Sequence, residues 1–440
     1  MKTEKFGESI TYFNENKTIK NNISDFIKKN KFTDFSPEGI TSYLTFRHPI
    51  SDLTMFKGYR KIKFGGDNKE TTWHPRFDSS TDSLDAAVYK IEDLLMDSIK
   101  DLTKGLERIA VTISGGLDSS LITAIVRKLY PEKKIYSYCA GFYGDDEFEY
   151  ARIVAHNNNT IYKEIILNRD DFLGKDSILP ELIEFKGSPL HPNELPLAIV
   201  EKKAKMDGMQ IVLCGEGADD IFGGYGQNFC MYMNYDHKES FFKYFLDNYR
   251  YFSLKDRNII KNEYLVDDFD LMMKDIEPIE LSTDIRNWAL YFIQKLHTPG
   301  LITRGANAMR YNGFPLGFPF ICDKLISYVN SLPFEYKVAW KSEKDKKQAD
   351  NTPYRDISEK HDIPKMILKR LAEKYLAHKI IYRQKKGFPI PFEFWLKDLK
   401  TWDLNKSIFK TNDISGYNGW KKFMLINLNT FINIFEKYKK

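Results

Sequence analysis

A chain of 440 residues, 42% of them hydrophobic, has room for two or three domains with sizeable cores. Its 66 basic and 61 acidic residues leave a net charge of +5, too small at this length to argue for wholesale binding of nucleic acid or membrane. Four cysteines, at 139, 214, 230 and 322, have neither zinc-ligand nor disulfide spacing, so free buried thiols are expected.

The opening Met1-Lys2-Thr3-Glu4 lacks the apolar core of a signal peptide, and no uncharged apolar run reaches spanning length, which predicts a soluble, cytoplasmic protein. Residues 1 to about 35 are rich in Lys and Asn and weakly patterned, and predict a loosely held extension. From Phe35 to Phe77 the sequence turns aromatic, with Phe64-Gly65-Gly66-Asp67 predicted as a turn and Thr71 to Pro75 as a short extended piece. This stretch is too small for a catalytic domain. Leu84, Val88, Ile91, Leu95, Ile99 and Leu102 then fall at helical spacing behind the caps Asp82 and Ser83, predicting an amphipathic helix.

Val111-Thr112-Ile113 reads as a buried strand running into Ser114-Gly115-Gly116-Leu117-Asp118-Ser119-Ser120, and Leu121, Ile122, Ala124 and Ile125 give the next helix its apolar face. Gly115 and Gly116 let the backbone approach an anion, and the first N–H groups of the helix point at it with the positive end of the dipole. Phosphate or pyrophosphate fits such a loop, and Asp118 is placed to hold a divalent cation. A plain strand-to-helix turn would need only a glycine and a cap; the hexad Ser-Gly-Gly-Leu-Asp-Ser is more restrictive. It resembles the pyrophosphatase loop of enzymes that split ATP between its α- and β-phosphates, and it lacks the lysine of a Walker loop.

Strands and helices alternate from here, which predicts an α/β fold: a parallel sheet with helices on both faces. Ile135 to Ala140 is the second strand, ended by Gly141-Phe142, and Asp145 to Tyr150 opens a helix with acids in its first turn. Ile161 to Ile166 is the third strand and Gln210 to Cys214 the fourth. Ligands of such sheets sit beyond the carboxyl ends of the strands, so the residues ending the first and fourth strands should meet. That makes the Gly-rich, acidic loop Gly215-Glu216-Gly217-Ala218-Asp219-Asp220-Ile221-Phe222-Gly223-Gly224-Tyr225 the second half of the site, with Asp118 and Asp219 as a two-carboxylate magnesium site.

These two loops, in this order and about a hundred residues apart, resemble the signature loops of the synthetase domain of the asparagine synthetase family. The resemblance implies a fold of the adenine-nucleotide α-hydrolase type, with a pyrophosphatase loop. It puts Ser114, Gly115, Gly116, Asp118, Ser119 and Gly215 at ATP or pyrophosphate, and Ala140 in the adenine pocket. Asp118 and Asp219 would bind Mg2+, and Glu216 would face the reacting centre.

Beyond Tyr225 the chain is aromatic and helical, with Phe241-Phe242-Lys243-Tyr244-Phe245 predicted as core, so a helical second region is expected to close over the first. The charge run Lys341 to Gln348 is expected on a solvated face. In the basic, Pro/Gly-punctuated segment Ile380 to Pro391, the family's Arg-x-Lys-x-Gly-Phe pattern maps its lysine to Lys385. A compact ammonium suits charge developing on the α-phosphate and the acyl oxygen. The expected division is residues 1–82 as an N-terminal extension with a short linker-like remnant, 83–235 as the ATP-pyrophosphatase core, and 236–440 as the helical part carrying Lys385.

Two departures from the family pattern bear on substrate. Glutamine-using members begin with a catalytic cysteine and a glutaminase domain, whereas here Lys2 is second, no cysteine precedes Cys139, and the stretch before the first loop is too short. No glutaminase activity is therefore expected of this chain. Near the expected acceptor pocket, asparagine synthetases typically read Glu-Val-Arg-Val-Pro-Phe-Leu-Asp; Pro315, Gly317 and Cys322 stand in place of the Glu, Arg and Asp, which leaves an acceptor other than free aspartate open.

The resemblance implies an AMP-forming amide ligase with ATP and Mg2+ as cofactors. A small-molecule or peptide carboxylate is adenylated, then attacked by ammonia or an amine, which a separate glutaminase could supply. Glu216 would orient or deprotonate the amine. Membranes and nucleic acid are not expected partners. Because β-lactam synthetases and lasso-peptide cyclases share this domain, an intramolecular cyclase, or an amidase of a specialised metabolite, peptide or sugar acid, is an alternative. Others are an enzyme that adenylates a tRNA base and an inactive nucleotide-binding scaffold.

Overall fold

Two short strands, β1 (Thr11–Asn14) and β2 (Lys17–Lys20), pair antiparallel, and β3 (Arg60–Lys61) joins them on the other side of β1. Between β2 and β3 lie α1 (Ile23–Asn30), capped by Asn22, and α2 (Pro37–Phe46), which starts on Ser36 with proline in its first turn. The computed structural model describes residues 11–14, 17–20, 22–63, 75–144, 147–226, 241–276, 284–353 and 356–440. The expected turn at 64–67, the extended piece at 71–74, Asp145, Asp146 and Cys230 lie outside these.

The described N-terminal residues are not a loose extension. Ile23, Ile27, Phe32 and Phe35 are fully buried in one core with the last helix, with the Phe35 and Phe431 rings 5.7 Å apart and those of Phe56 and Phe435 5.1 Å apart. The sequence misleads because Ile23 and Ile27 mark a helix of only two turns among Lys and Asn, and Phe32 and Phe35 lie outside regular elements.

The centre follows the expected alternation. It begins with α3 (Leu84–Leu102), started by Ser83, whose Oγ accepts from the Ala86 N–H at 3.3 Å. Next come β4 (Ile109–Thr112), α4 (Leu117–Leu129), β5 (Ile135–Phe142), α5 (Glu147–Asn157) and β6 (Ile161–Leu167). They are followed by α6 (Glu194–Met206), β7 (Ile211–Leu213) and α7 (Ala218–Phe222). The strand β5 runs on through Gly141 and Phe142 because β6 pairs with it as far as Phe142 opposite Leu167.

Five strands form one sheet in the order β6-β5-β4-β7-β8, every neighbouring pair parallel, where β8 (Leu316–Gly317) is a two-residue edge. Alternation along β4 covers both faces. Ile109 and Val111 pack with α3 and α4 on one side, and Ala110 packs with Val200 and Ala204 of α6 on the other. The segment expected near the acceptor pocket supplies this edge instead. A side chain at Gly317 would meet Leu213 at 2.7 Å, so glycine there answers to strand packing.

The second region is mostly helical, with an antiparallel strand pair, Val338–Trp340 with Asp362–Pro364. A π-helical turn, Ile293–His297, leads into α8 (Thr298–Asn312), and the chain closes with α9 (Gly419–Glu436). Phe241 and Phe245 are buried as expected, and the charge run forms an exposed helix over Glu343–Ala349. Among the described residues no helix is long and apolar enough to cross a membrane.

Candidate active site

Because β4 and β7 are neighbours, with Val111 opposite Leu213, the loops leaving their carboxyl ends meet. Gly115 has φ +69°, and a Cβ there would stand 2.3 Å from the Tyr150 Cβ and 2.7 Å from its carbonyl carbon, so conformation and space both require glycine. Gly116 caps α4 without any side chain closing the helix end. The first N–H groups of α4 are therefore left for an anion. The loop is shaped by its own serines: the Ser114 N–H donates to Ser119 Oγ at 3.1 Å, and the Gly116 N–H donates to Ser114 Oγ at 3.3 Å. Gly215 presses against this cradle, where a Cβ would stand 2.9 Å from the Ser119 nitrogen.

Asp118, in the first turn of α4, and Asp219, in the first turn of α7, meet at a lysine that no local pattern marks. Lys365 Nζ lies 2.5 Å from Asp118 Oδ2 and 2.6 Å from Asp219 Oδ1. Lys385 Nζ also pairs with Asp219, donates to the Gly224 carbonyl at 3.2 Å, and sits 4.8 Å from the centre of the Tyr225 ring. Burial alone would raise the Asp219 carboxyl, but the two ammonium groups outweigh it and hold Asp219 below the usual carboxylate range.

The donor set fits magnesium. Asp118 Oδ1 is buried and accepts no hydrogen bond among the described residues. Two carboxylates match an ion that completes its shell with water and phosphate oxygens. Among the described residues no group of three or more His, Cys, Asp or Glu is gathered to cage a metal.

Loops and lysines open on one cavity of about 610 Å³. Ala140 on β5, with Leu197 and Val200 of α6, gives it an apolar wall. Glu216 also lines it, but Arg304 of α8 holds it, Nη2 to Oε1 at 2.5 Å. Arg304 thus fixes the direction in which the Glu216 carboxylate faces the cavity. Arg304 Nη1 lies 3.3 Å from His191 Nδ1. His297 stands between two tyrosines, Nε2 at 3.2 Å from the Tyr225 hydroxyl and Nδ1 at 2.6 Å from that of Tyr249. Burial, with Arg47 and Arg304 nearby, pushes the His297 imidazole well below its ordinary range and keeps it neutral.

Ser114, Gly116, Asp118, Ser119, Ala140, Gly215, Glu216, Asp219 and Lys385 all line this cavity, and Gly115 forms the turn behind it. Pro315 to Cys322 do not line it. Sequence reasoning missed Lys365, Arg304, His191, His297 and Arg47, which do. Arg304 carried a readable signal, a lone arginine among Ile302, Gly305 and Ala306 on a helix.

The asparagine synthase family matches residues 90–421 of the chain. A relative from Methanocaldococcus jannaschii, named for a glutamine-hydrolysing asparagine synthetase, is 23% identical over 324 residues, covering 69% of this chain and 49% of that protein. A glutamine-hydrolysing asparagine synthetase of Bacillus subtilis is 22% identical over 416 residues, covering 84% of this chain and 62% of its own length. The chain thus spans between half and two thirds of the length of these relatives. A solved tRNA thiolase from Methanococcus maripaludis, 15% identical, covers 58% of this chain and 91% of its own at a TM-score of 0.27, a likeness too slight to carry an argument.

Proposed function

The chain belongs to the asparagine synthase family, and on that premise we propose that it is an ATP-dependent amide ligase that forms AMP and pyrophosphate. The observation that carries this reading is the meeting of Asp118 and Asp219, from two neighbouring strand-end loops, on the ammonium of Lys365 inside one cavity. Two carboxylates and two lysines around a phosphate-cradling helix end suit the departure of pyrophosphate from ATP.

In the first step an oxygen of the acceptor carboxylate attacks the α-phosphorus, the bond to the β-phosphate oxygen breaks, and pyrophosphate leaves. The N–H groups of Leu117 to Ser119 bind the departing phosphates, and Ala140 with Leu197 takes the adenine. Lys385, on its own segment, meets the charge developing at the α-phosphate, while Lys365 holds the two carboxylates in place. Asp118 and Asp219 would hold magnesium, which when bound neutralises the pyrophosphate charge. In the second step ammonia or an amine attacks the acyl carbon, AMP leaves, and the proton of the nitrogen passes to the departing AMP phosphate or to water; Glu216, fixed by Arg304, orients the amine. Within these 440 residues no part is assigned to glutamine hydrolysis. The reading fits a cytoplasmic enzyme.

The test is product analysis with ATP, magnesium, ammonia and a panel of carboxylates. AMP and pyrophosphate are expected, with release abolished in Asp219→Ala that still folds. ADP and inorganic phosphate as products would overturn the proposal.

A further inference from the structure

His191 stands in the short loop ahead of α6, between Pro189 and Pro192, and lines the cavity. The proline that follows disfavours a helical backbone at His191, and the loop is clamped from the far end of the chain. Asn427 of α9, fully buried, accepts the Leu190 N–H on Oδ1 at 3.2 Å and donates from Nδ2 to the Leu190 carbonyl at 2.7 Å. The His191 carbonyl in turn accepts the Glu194 N–H at 2.9 Å, where α6 begins. The imidazole is therefore presented from a backbone bonded on both sides of it.

The two ring nitrogens are not equivalent. The Asn193 N–H donates to Nδ1 at 3.1 Å, so Nδ1 carries the lone pair and Nε2 the proton. Burial, with Arg47 and Arg304 nearby, pushes the imidazole well below its ordinary range and keeps it in this neutral form. Arg304 Nη1 stands 3.3 Å from the same Nδ1, and a guanidinium can only donate. Its other arm, Nη2, holds Glu216 Oε1 at 2.5 Å. The guanidinium is a rigid planar fork, so seating one arm on His191 sets the direction of the other. Arg304 is itself buried, which leaves little room for water to replace the imidazole as an acceptor.

We propose that His191 is a positioning residue for the amide-forming step: through Nδ1 it aims Arg304, and through Arg304 it aims Glu216 at the incoming amine. What Glu216 faces rests on the amide-ligase reading. Asp118, Asp219, Lys365 and Lys385 are held by one another, so loss of His191 should spare adenylation and strike the second step. An acyl-adenylate that the amine no longer meets is lost to water. A water oxygen then bonds to the acyl carbon, the bond from that carbon to the phosphate oxygen breaks, AMP leaves, and the free carboxylate returns with the protons going to solvent.

The experiment uses the full chain with ATP, magnesium, ammonia and the carboxylate panel, and reads the amide formed per pyrophosphate released. His191→Phe keeps a ring and removes the acceptor. It should release pyrophosphate within about three-fold of the parental rate, with KM for ATP unchanged, while the amide made per pyrophosphate falls about ten-fold or more. His191→Asn, whose Oδ1 can stand in for Nδ1, should recover part of that ratio. Arg304→Met should lower the ratio as far, and adding His191→Phe to it should lower it no further. Matching melting curves exclude misfolding as the cause. A parental ratio in His191→Phe, an equal fall in pyrophosphate and amide, or additive effects of the two substitutions overturns the inference and leaves the ligase reading standing. ADP and inorganic phosphate from the parent overturn the ligase reading and the inference with it.

Discussion

Lys365→Met removes the ammonium shared by Asp118 and Asp219 while keeping most of the side chain's volume. The lysine is 7% exposed and the two carboxylates 21% and 22%, and all three line the cavity. Breaking a fully buried pair costs about 3–5 kcal/mol because the surviving charge is left uncompensated. Here Asp219 keeps Lys385 as a partner and water reaches both carboxylates through the cavity, so the loss should be smaller, about 2–3 kcal/mol. A divalent cation compensates the same two oxygens' charge. The deficit should therefore be largest in chelator and shrink in magnesium, which urea unfolding of parent and variant under both conditions will read. Pyrophosphate release should fall about a hundred- to a thousand-fold. A variant that unfolds at the parental urea midpoint in chelator would refute the claim that Lys365 neutralises the pair.

Two further outcomes follow from groups around the cavity. A Cβ at Gly224 would stand 1.9 Å from Asp219 Oδ1 and 2.1 Å from Lys365 Cε, so Gly224→Ala should displace the cluster and abolish pyrophosphate release; an unimpaired variant would mean that Asp219 is not held where the reaction needs it. Glu201 of α6 is buried, with Oε1 lacking a partner among the described residues and Oε2 accepting from Asn312 at 3.3 Å, and burial pushes its carboxyl from 4.5 up to about 8. Between those values the folded chain keeps a proton that the unfolded chain has released, so stability falls as pH rises through the window. Glu201→Gln should then be about 2–3 kcal/mol more stable than the parent near pH 7 and no more stable at acid pH, as measured by denaturation across pH. A gain that does not vary with pH would rule out linkage as its source.

The central sheet and both loops were legible because each is written locally. Ser114 to Ser120 and Gly215 to Tyr225 carry their turn glycines, acids and helix starts within a dozen residues, and strand adjacency brings them together. Lys365 was not legible. Its partner Asp118 lies 247 residues away, and nothing in Asp362-Ile363-Pro364-Lys365 marks a lysine whose charge is to be buried. Arg47 was hidden for the same reason, and more deeply, because its segment reads as turn-rich and anchors on distant partners. The substitution of Gly317 was legible as a change but not as to its place: a two-residue edge strand has no period, and only the packing on Leu213 shows what the glycine is for.

The docking of α1 and α2 onto α9 has a consequence for biosynthesis. Phe35 and Phe431, which share that core, are separated by close to four hundred residues of chain. A ribosome adding ~5–20 residues per second leaves the earlier ring without its partner for roughly 20–80 s. Throughout that interval Ile23, Ile27, Phe32 and Phe35 have an apolar face to protect. The α/β core, whose strands follow one another closely, has no such wait. The emerging chain is thus most exposed to misassociation at its oldest end.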